Sequence, residues 1–473
     1  MSAGGPRGGG RPNILLLMTD QHAAHMLSCA GNDQVATPNL DRLAAQGTRF
    51  RRAYTAFPLC VPARSSLLTG RHPHSLGVNG NAAAFCDPDA ADPGQRPDSL
   101  GRLLGAAGYD TVYAGKWHAR AASATPEDGF TVLRPFGDAG LAAACARWLA
   151  ARAPEERPFA LIASFDDPHT ICEYARAQPM PYGDVPPVPV RRTPPLPANF
   201  GSFPYEPEAV RHEQAVQAAM YGTAAYAYDD WRRYRHTYAR LVERADAHLG
   251  VVLDALEAAG HADDTLVVFT SDHGDGDAAH AWNQKSALFE EAVKVPLIVR
   301  PPGGLGSGRV SDALVSTGLD LLPTLCGAAG AATPPDLPGT DLGSLAGGSG
   351  RDGAVGSGPD QVVGSGRDQV VVETLFERGS PPLTRGRALI TDRYKYTVYS
   401  WGHWREQLHD LREDPGETRN LAVEERYDPV REEMRERLLD WCLRTEDTAF
   451  LKRLVLPASA GPEVRERIFA IPY

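Results

Sequence analysis

The sequence predicts an α/β protein: a large, mixed but mostly parallel sheet flanked by helices, followed by a smaller C-terminal α+β domain carrying an antiparallel sheet. Three observations predict it. Short apolar runs alternate with helix-like segments as far as Val299. Several of those runs stop at acids, imidazoles or cations. Beyond residue 371 the strand-like runs follow one another with no helical pattern between them. Alternation of strand and helix implies parallel pairing, and consecutive strands imply antiparallel pairing.

Ile14–Met18 is the first run and ends in Thr19-Asp20-Gln21. It is far too short for a signal-peptide core or a membrane span, so a soluble, cytoplasmic protein is expected. Next comes Leu59-Cys60-Val61-Pro62-Ala63-Arg64, continuing to Thr69-Gly70-Arg71. Pro62 suits a first helical turn, where its missing N–H costs nothing, and Gly70 suits a stop. Cys60 would then sit at a helix N-terminus, in positive potential. The competing reading is a buried structural cysteine. Thr111–Ala114, Phe159–Phe165, Leu266–Phe269 and Val295–Val299 are the remaining apolar runs, expected as buried parallel strands.

Between them, residues 179–207 hold ten prolines in twenty-nine positions, which excludes regular structure. Tyr182, Phe200, Phe203 and Tyr205 punctuate this stretch and favour an ordered loop, of the kind that often serves as a lid. A helix is expected from Trp231 to Ala259. Its apolar residues recur at helical spacing from Tyr238 to Leu256, and Gly260 follows. Its basic start, Arg232-Arg233-Tyr234-Arg235, reads as a solvated face. Residues 348–371 contain three eight-residue units, GSGRDGAV, GSGPDQVV and GSGRDQVV, too few and too Gly-rich for a solenoid. Strands are expected at Val370–Leu375, Ala388–Thr391 and Tyr394–Tyr399, and a last helix at Pro429–Cys442. The expected divisions are a catalytic domain at 11–345, a Gly-rich loop at 346–371 and an antiparallel-sheet subdomain at 372–473.

A net charge of −11 argues against a nucleic-acid footprint and against acidic membranes. An anionic substrate would need a local pocket of positive charge. The seven cysteines are odd in number and scattered, with no C-x-x-C pair, so neither a zinc ribbon nor a disulfide framework is indicated.

In open α/β sheets ligands bind beyond the carboxyl ends of the strands. Four expected strands end in Asp20-Gln21, Gly115-Lys116-Trp117-His118, Asp166-Asp167-Pro168-His169 and Ser271-Asp272-His273. Asp20, Asp272 and the amide oxygen of Gln21 are hard oxygen ligands suited to Ca²⁺, Mg²⁺ or Mn²⁺, and His273 adds a nitrogen. Lys116, Arg64 and Lys285 are cations able to neutralise a tetrahedral oxyanion, while His118 and His169 can move protons. Metal, cations and imidazoles together describe hydrolysis of a sulfate or phosphate ester. Asp166 and Asp167 offer a further contact for a cationic or hydroxylated substrate. His22 and His25 look accessible and carry no assigned role, and Asp275 and His280 read as turn caps or supporting groups.

These segments resemble the sulfatase family of the alkaline phosphatase superfamily. The resemblance rests on Cys60-x-Pro-x-Arg64 with Leu68-Thr-Gly-Arg71, and on Arg11–Gln21 and Thr37–Gly47. Gly115–His118, Thr270–Asp275, Lys285 with Leu288–Val299, and Leu408–Glu417 also match, in the family's order. It implies an alkaline-phosphatase-like sheet and a Cys60 converted to formylglycine by a maturation enzyme. Asp20, Gln21, Asp272, His273 and residue 60 would hold one divalent cation, with Ca²⁺ favoured. Arg64 would orient the formylglycine hydrate, and Lys116 and Lys285 would clamp the sulfate. His169 would protonate the leaving alcohol, and His118 would deprotonate the second hydroxyl to expel sulfate.

The chain departs from many members in carrying Gln21 for a second Asp and His273 for Asn. In this it resembles phosphonate monoester hydrolases and choline-sulfatase-like members. The expected function is hydrolysis of a small-molecule or saccharide sulfate ester. A phosphonate monoester hydrolase or phosphodiesterase is the alternative, and an anion-binding pseudoenzyme a third reading that the intact residue set opposes. Specificity is expected in the Pro-rich loop and the C-terminal domain. No nucleic-acid or membrane partner is expected, and a homo-oligomer is possible.

Overall fold

A computed structural model describes residues 11–89, 91–120, 124–153, 156–304, 308–343, 367–376 and 383–454. The first two eight-residue repeats and the start of the third fall outside those ranges.

The apolar runs become strands. They are β1 (Asn13–Asp20), β2 (Thr48–Tyr54), β3 (Asp110–Gly115), β4 (Thr131–Arg134), β5 (Phe159–Pro168), β6 (Thr265–Ser271), β7 (Leu297–Arg300) and β8 (Arg309–Ser316). They form one sheet in the order β4-β3-β5-β1-β6-β7-β2-β8. β7 pairs antiparallel with both β6 and β2, and the other pairs are parallel. The run Val295–Val299 was expected to be parallel, and its direction is corrected here. The connection between β6 and β7, residues 272–296, returns at the end of the sheet where β6 stops, without the crossover that parallel pairing requires.

Helices α1 (Pro38–Gln46), α2 (Cys60–Thr69), α3 (Leu100–Ala106) and α4 (Leu141–Ala150) come early in the chain. α5 (Ile171–Ala175), α6 (Glu208–Met220), α7 (Tyr228–Ala258), α8 (Glu290–Val293) and α9 (Thr317–Ala329) follow. Successive side chains of β1 serve opposite faces, as strand geometry requires. Ile14, Leu16 and Met18 pack with Leu67 of α2, Leu100 of α3 and Leu322 of α9. Leu15 and Leu17 pack with Leu40 of α1, Leu149 of α4 and Leu249 of α7. Helices thus cover both faces, which is why the central strands read as continuous apolar runs.

The smaller sheet has the order β12-β11-β10-β9, formed by β9 (Val370–Phe376), β10 (Thr384–Ile390), β11 (Tyr394–Tyr399) and β12 (Glu406–Asp410). All of its pairs are antiparallel, as expected. One face, with Val370, Val372 and Ile390, packs on Tyr54, Leu288 and Leu314 of the large domain. The other, with Val371, Leu389 and Leu408, packs on Met434, Leu438 and Trp441 of α10 (Asp428–Arg444) and on Phe450 of α11 (Thr448–Leu454).

The Pro-rich stretch is an ordered loop with one short turn at Val190–Arg192. The basic start of α7 is not a solvated face. Arg232 donates to the carbonyls of Val190, Thr193 and Pro194, and Arg235 pairs with Asp277, so this helix end pins the loop. His22 is also corrected: it is fully buried, its Nε2 2.8 Å from the Met26 carbonyl. No helix among the described residues is long and apolar enough to cross a membrane.

Candidate active site

The carboxyl ends of β1, β3, β5 and β6 meet the N-terminus of α2. The Leu59 side chain leaves this helix end uncapped, and the amide oxygen of Asn81 accepts from Val61 N at 2.9 Å instead. Gly70 closes the helix at φ 67°, the left-handed geometry expected of its C-cap. All ten residues of α2 are buried, Cys60 completely. At the end of β3, Gly115 has φ 95°, and a Cβ there would lie 2.0 Å from the Ser164 carbonyl oxygen. Only glycine lets β3 approach β5 so closely, and this approach delivers Lys116 to the centre.

Cys60 Sγ lies 3.2 Å from His273 Nε2, 3.2 Å from Lys285 Nζ and 3.8 Å from Asp20 Oδ1. One ligand atom each from Asp20, Cys60, Asp272 and His273 falls within 4.8 Å of the others. Arg64 organises the two acids. Its Nε donates to Asp272 Oδ2 at 2.8 Å and its Nη2 to Asp20 Oδ2 at 3.1 Å. Each carboxylate therefore keeps Oδ1 on the His273 side, at 3.7 Å for Asp272 and 3.9 Å for Asp20. His273 Nδ1 lies 2.9 Å from the Gly274 carbonyl, so it carries a proton, and Nε2 faces the cluster. Two carboxylate oxygens, an imidazole nitrogen and residue 60 make a donor set that fits a divalent cation. Gln21, at φ 68°, donates Nε2 to Asp275 and presents Oε1 to Lys285 Nζ at 3.1 Å.

Lys116 Nζ is 2.9 Å from both Asp20 and Asp166. Asp166 is thus engaged with a cation, and buried Asp167 is paired with Arg244. Neither offers the free substrate contact expected of it. His169 is 24% exposed, with Nδ1 3.9 Å from Asp166. His118 stands beyond Lys116 at φ 47°, and its Nδ1 has no hydrogen-bond partner among the described residues.

The electrostatics follow from burial among like and unlike charges. Burial and Asp20 oppose ionisation of the Cys60 thiol, but Lys285, His273 and Lys116 together hold it well below the ordinary thiol range. Burial would raise Asp20, yet the surrounding cations hold it well below the carboxylate range. Asp272 moves the other way, raised by burial and by Asp20. Burial and then Lys116 and Lys285 depress His169 to about 3, so it is neutral in the free protein.

A cavity of about 170 Å³ opens over Lys285, His169 and Cys172. Arg176, Glu213, Gln217, Tyr221 and Asn81 line its walls, and neither the Pro-rich loop nor the C-terminal sheet contributes a lining residue. The expectation that those two segments frame the substrate is corrected for this pocket. A larger cavity of about 690 Å³, lined in part by Arg52, Lys294 and Arg412, contains none of the clustered residues.

Residues 12–331 match the family described as Sulfatase. The chain belongs to the sulfatase family. Residues 278–443 of this sulfatase match the description N-sulphoglucosamine sulphohydrolase, C-terminal. The chain is 29% identical to the Delta 4,5-hexuronate-2-O-sulfatase of Bacteroides thetaiotaomicron, over 92% of its own length and 90% of that protein's. It is 29% identical to human Arylsulfatase A, covering 87% of the chain and 83% of the relative. Among solved structures it is similar to BT1596, a 2-O GAG sulfatase, with TM-score 0.76, 27% identity and 96% of each chain covered. It shares its fold with the phosphonate monoester hydrolase of Agrobacterium radiobacter, with TM-score 0.71, 24% identity, and 92% and 96% covered. The enzyme is therefore a sulfuric ester hydrolase on an alkaline-phosphatase-like fold.

Sequence reasoning left Asp275 as a turn cap or supporting group and missed the side chains around it. Asp275 accepts from Gln21, from Tyr234, and from the amides of Asp277 and Gln284. Tyr238 donates to the Gln21 carbonyl at 2.6 Å and accepts from Ala23 N at 2.9 Å. The two tyrosines lie on the apolar stripe of α7, so nothing in the pattern separates them from core. Ser164, which accepts from Arg64 at 2.9 Å, interrupts an otherwise apolar run just before Phe165 and carries no separate signal.

Proposed function

We propose that this sulfatase hydrolyses a saccharide sulfate monoester to alcohol and inorganic sulfate, using a formylglycine made from Cys60 and one divalent cation. The observation that carries the reading is the convergence of His273, Lys285, Asp20 and Asp272 on the buried Cys60 Sγ. That sulfur marks where the hydroxyls of a hydrated formylglycine would stand. The saccharide class is supported by relatives whose names specify sulfated sugars, such as the Delta 4,5-hexuronate-2-O-sulfatase and an N-acetylglucosamine-6-O-sulfatase that is 26% identical.

Asp20, Asp272, His273, Gln21 and residue 60 would hold the cation, Ca²⁺ being favoured by the oxygen donors. When bound, it supplies Lewis-acid activation of the attacking hydroxyl and charge neutralisation at the ester oxygens. Hydrated formylglycine supplies two hydroxyls on one carbon, one to attack sulfur and one whose ionisation re-forms the aldehyde and expels sulfate. Neither serine nor cysteine has that second hydroxyl.

The remaining roles belong to side chains in place. Arg64 spans the two acids and keeps their other oxygens turned inward. Lys116 and Lys285 oppose the charge gathered on the sulfuryl oxygens. His169 faces the pocket and protonates the departing alcohol. A sulfate ester entering there sets its negative charge against Lys116 and Lys285, the cations that hold the His169 proton off, and so makes the imidazole more basic. His118 takes the proton of the second hydroxyl.

Mass spectrometry of the tryptic peptide Ala53–Arg64 tests the modification. The expected product has lost H₂S and gained one oxygen, and only unmodified cysteine from a host with the maturation machinery overturns it. Turnover of an aryl sulfate is expected to exceed that of a phosphodiester. The reverse order would reassign the enzyme to phosphonate or phosphodiester hydrolysis.

A further inference from the structure

The pocket beside Lys285 and His169 holds a cation that the proposed chemistry does not use. Arg176 caps α5, just past the His169 turn. Its guanidinium carbon stacks 4.2 Å above the Tyr221 ring. Among the described residues its side chain enters no hydrogen bond or close ion pair, although its charge eases ionisation of Glu173 on the same helix. A guanidinium resting on an aromatic face is held in place while its N–H fork stays available. The same wall carries a different kind of group. Glu213 is 1% exposed, and its Oε1 accepts from Gln217 Nε2 at 2.7 Å. Carboxylate and amide oxygens at a pocket wall are suited to hydroxyl donors. Lys285 and His169 form the floor, and they are committed to the ester that reacts.

We propose that Arg176 is a specificity residue which binds a second anionic group on the substrate, so that the sulfatase acts on a sulfated sugar that also carries a carboxylate or a second sulfate. The proposal rests on the sulfate-ester reading of the same site. The ring hydroxyls meet Glu213 and Gln217. At about 170 Å³ the pocket lies below the roughly 300–1,000 Å³ usual for larger ligands. It takes a single ring, and the second anion lies on the ring that bears the scissile ester or directly beside it.

The test compares four probes on the mature enzyme: 4-nitrophenyl sulfate, a neutral hexose monosulfate, a hexuronic acid monosulfate and a hexosamine disulfate. Wild type is expected to favour one of the two doubly anionic sugars over the neutral one by about tenfold to a hundredfold in kcat/KM, the range of a charge-assisted contact. Which of the two is favoured separates carboxylate from second sulfate. Arg176→Met is expected to erase that preference through KM while 4-nitrophenyl sulfate turnover stays within about twofold, and Arg176→Lys to restore part of it. Wild-type preference for the neutral sugar, or an equal loss on all four probes in Arg176→Met, overturns the proposal. Failure of wild type to turn over any sulfate ester overturns the underlying reading, and the proposal with it.

Discussion

Lys285 Nζ lies 3.2 Å from Cys60 Sγ although the two residues are 225 positions apart in the chain. The same ammonium is 3.1 Å from the Gln21 amide oxygen, so it ties the loop after β6 both to the end of β1 and to the mouth of α2. A cation at this distance from the proposed nucleophile would meet the charge that builds on a sulfuryl group under attack. Lys285→Met is therefore expected to lower kcat by about 10²- to 10³-fold, the usual loss when one preorganised charge is removed. Steady-state kinetics check this, with mass spectrometry of residue 60 showing that maturation is unchanged. A rise in KM with kcat unchanged would remove Lys285 from the chemical step.

The inward oxygens of Asp20 and Asp272 call for a cation. Chelation of the purified enzyme is expected to abolish turnover and to lower the melting temperature. Adding back Ca²⁺, Mn²⁺ or Mg²⁺ singly should restore both in proportion to affinity, because a ligand bound only to the folded state stabilises it. Asp272→Asn should melt at the same temperature with and without the ion. A variant still stabilised by cation would place the ion elsewhere.

His74 links the two domains. Its Nδ1 is 2.7 Å from Glu373 and its Nε2 2.9 Å from the Thr445 carbonyl, so both ring nitrogens face acceptors and the ring must carry two protons. Burial disfavours the imidazolium, but Glu373, with its charge and hydrogen bond, outweighs it and raises the pKa above 6.5. Glu373 is itself held at about 2, with burial outweighed by His74 and Arg387. His72 and Asp447 face the same cluster, and His72 is pushed down to about 4, so it stays neutral. A raised folded pKa gives stability that is fully present below the unfolded value and is lost as pH rises through the folded one. The melting-temperature gap between wild type and His74→Gln should be wide at pH 6 and close towards pH 9. An equal gap at both values would mean a neutral ring.

Arg232 reaches three loop carbonyls at 2.9–3.1 Å. Arg232→Ala is expected to cost about 1–3 kcal/mol and to loosen the Pro-rich loop where exposed Arg191 and Arg192 lie. Limited trypsinolysis should then nick the variant after Arg191 or Arg192 faster than wild type. Equal rates would show that the loop holds itself.

The centre of the sheet was legible because β1, β5 and β6 are buried on both faces, and their apolar runs end abruptly in Asp20, Asp166 and Asp272. β2 was not, because Arg49, Arg51 and Arg52 interrupt it where its side chains are only partly covered. α6 was missed for a related reason. The side it buries includes Glu213 and Gln217, so the pocket wall leaves no apolar stripe to read. The cluster around residue 60 was readable from motif residues held by strand ends. The substrate wall was not, since Arg176, Glu213 and Asn81 belong to no spacing rule and meet only in space.

Helix α2 is buried along its whole length, and Cys60 has no accessible surface. That packing sets a schedule. On the proposed function, the catalyst that oxidises the thiol would have to reach it while the segment is still extended, before β1 and β6 close around it and α9 covers the helix behind. Protein folded with its thiol intact would then stay inactive until unfolding exposed residue 60 again.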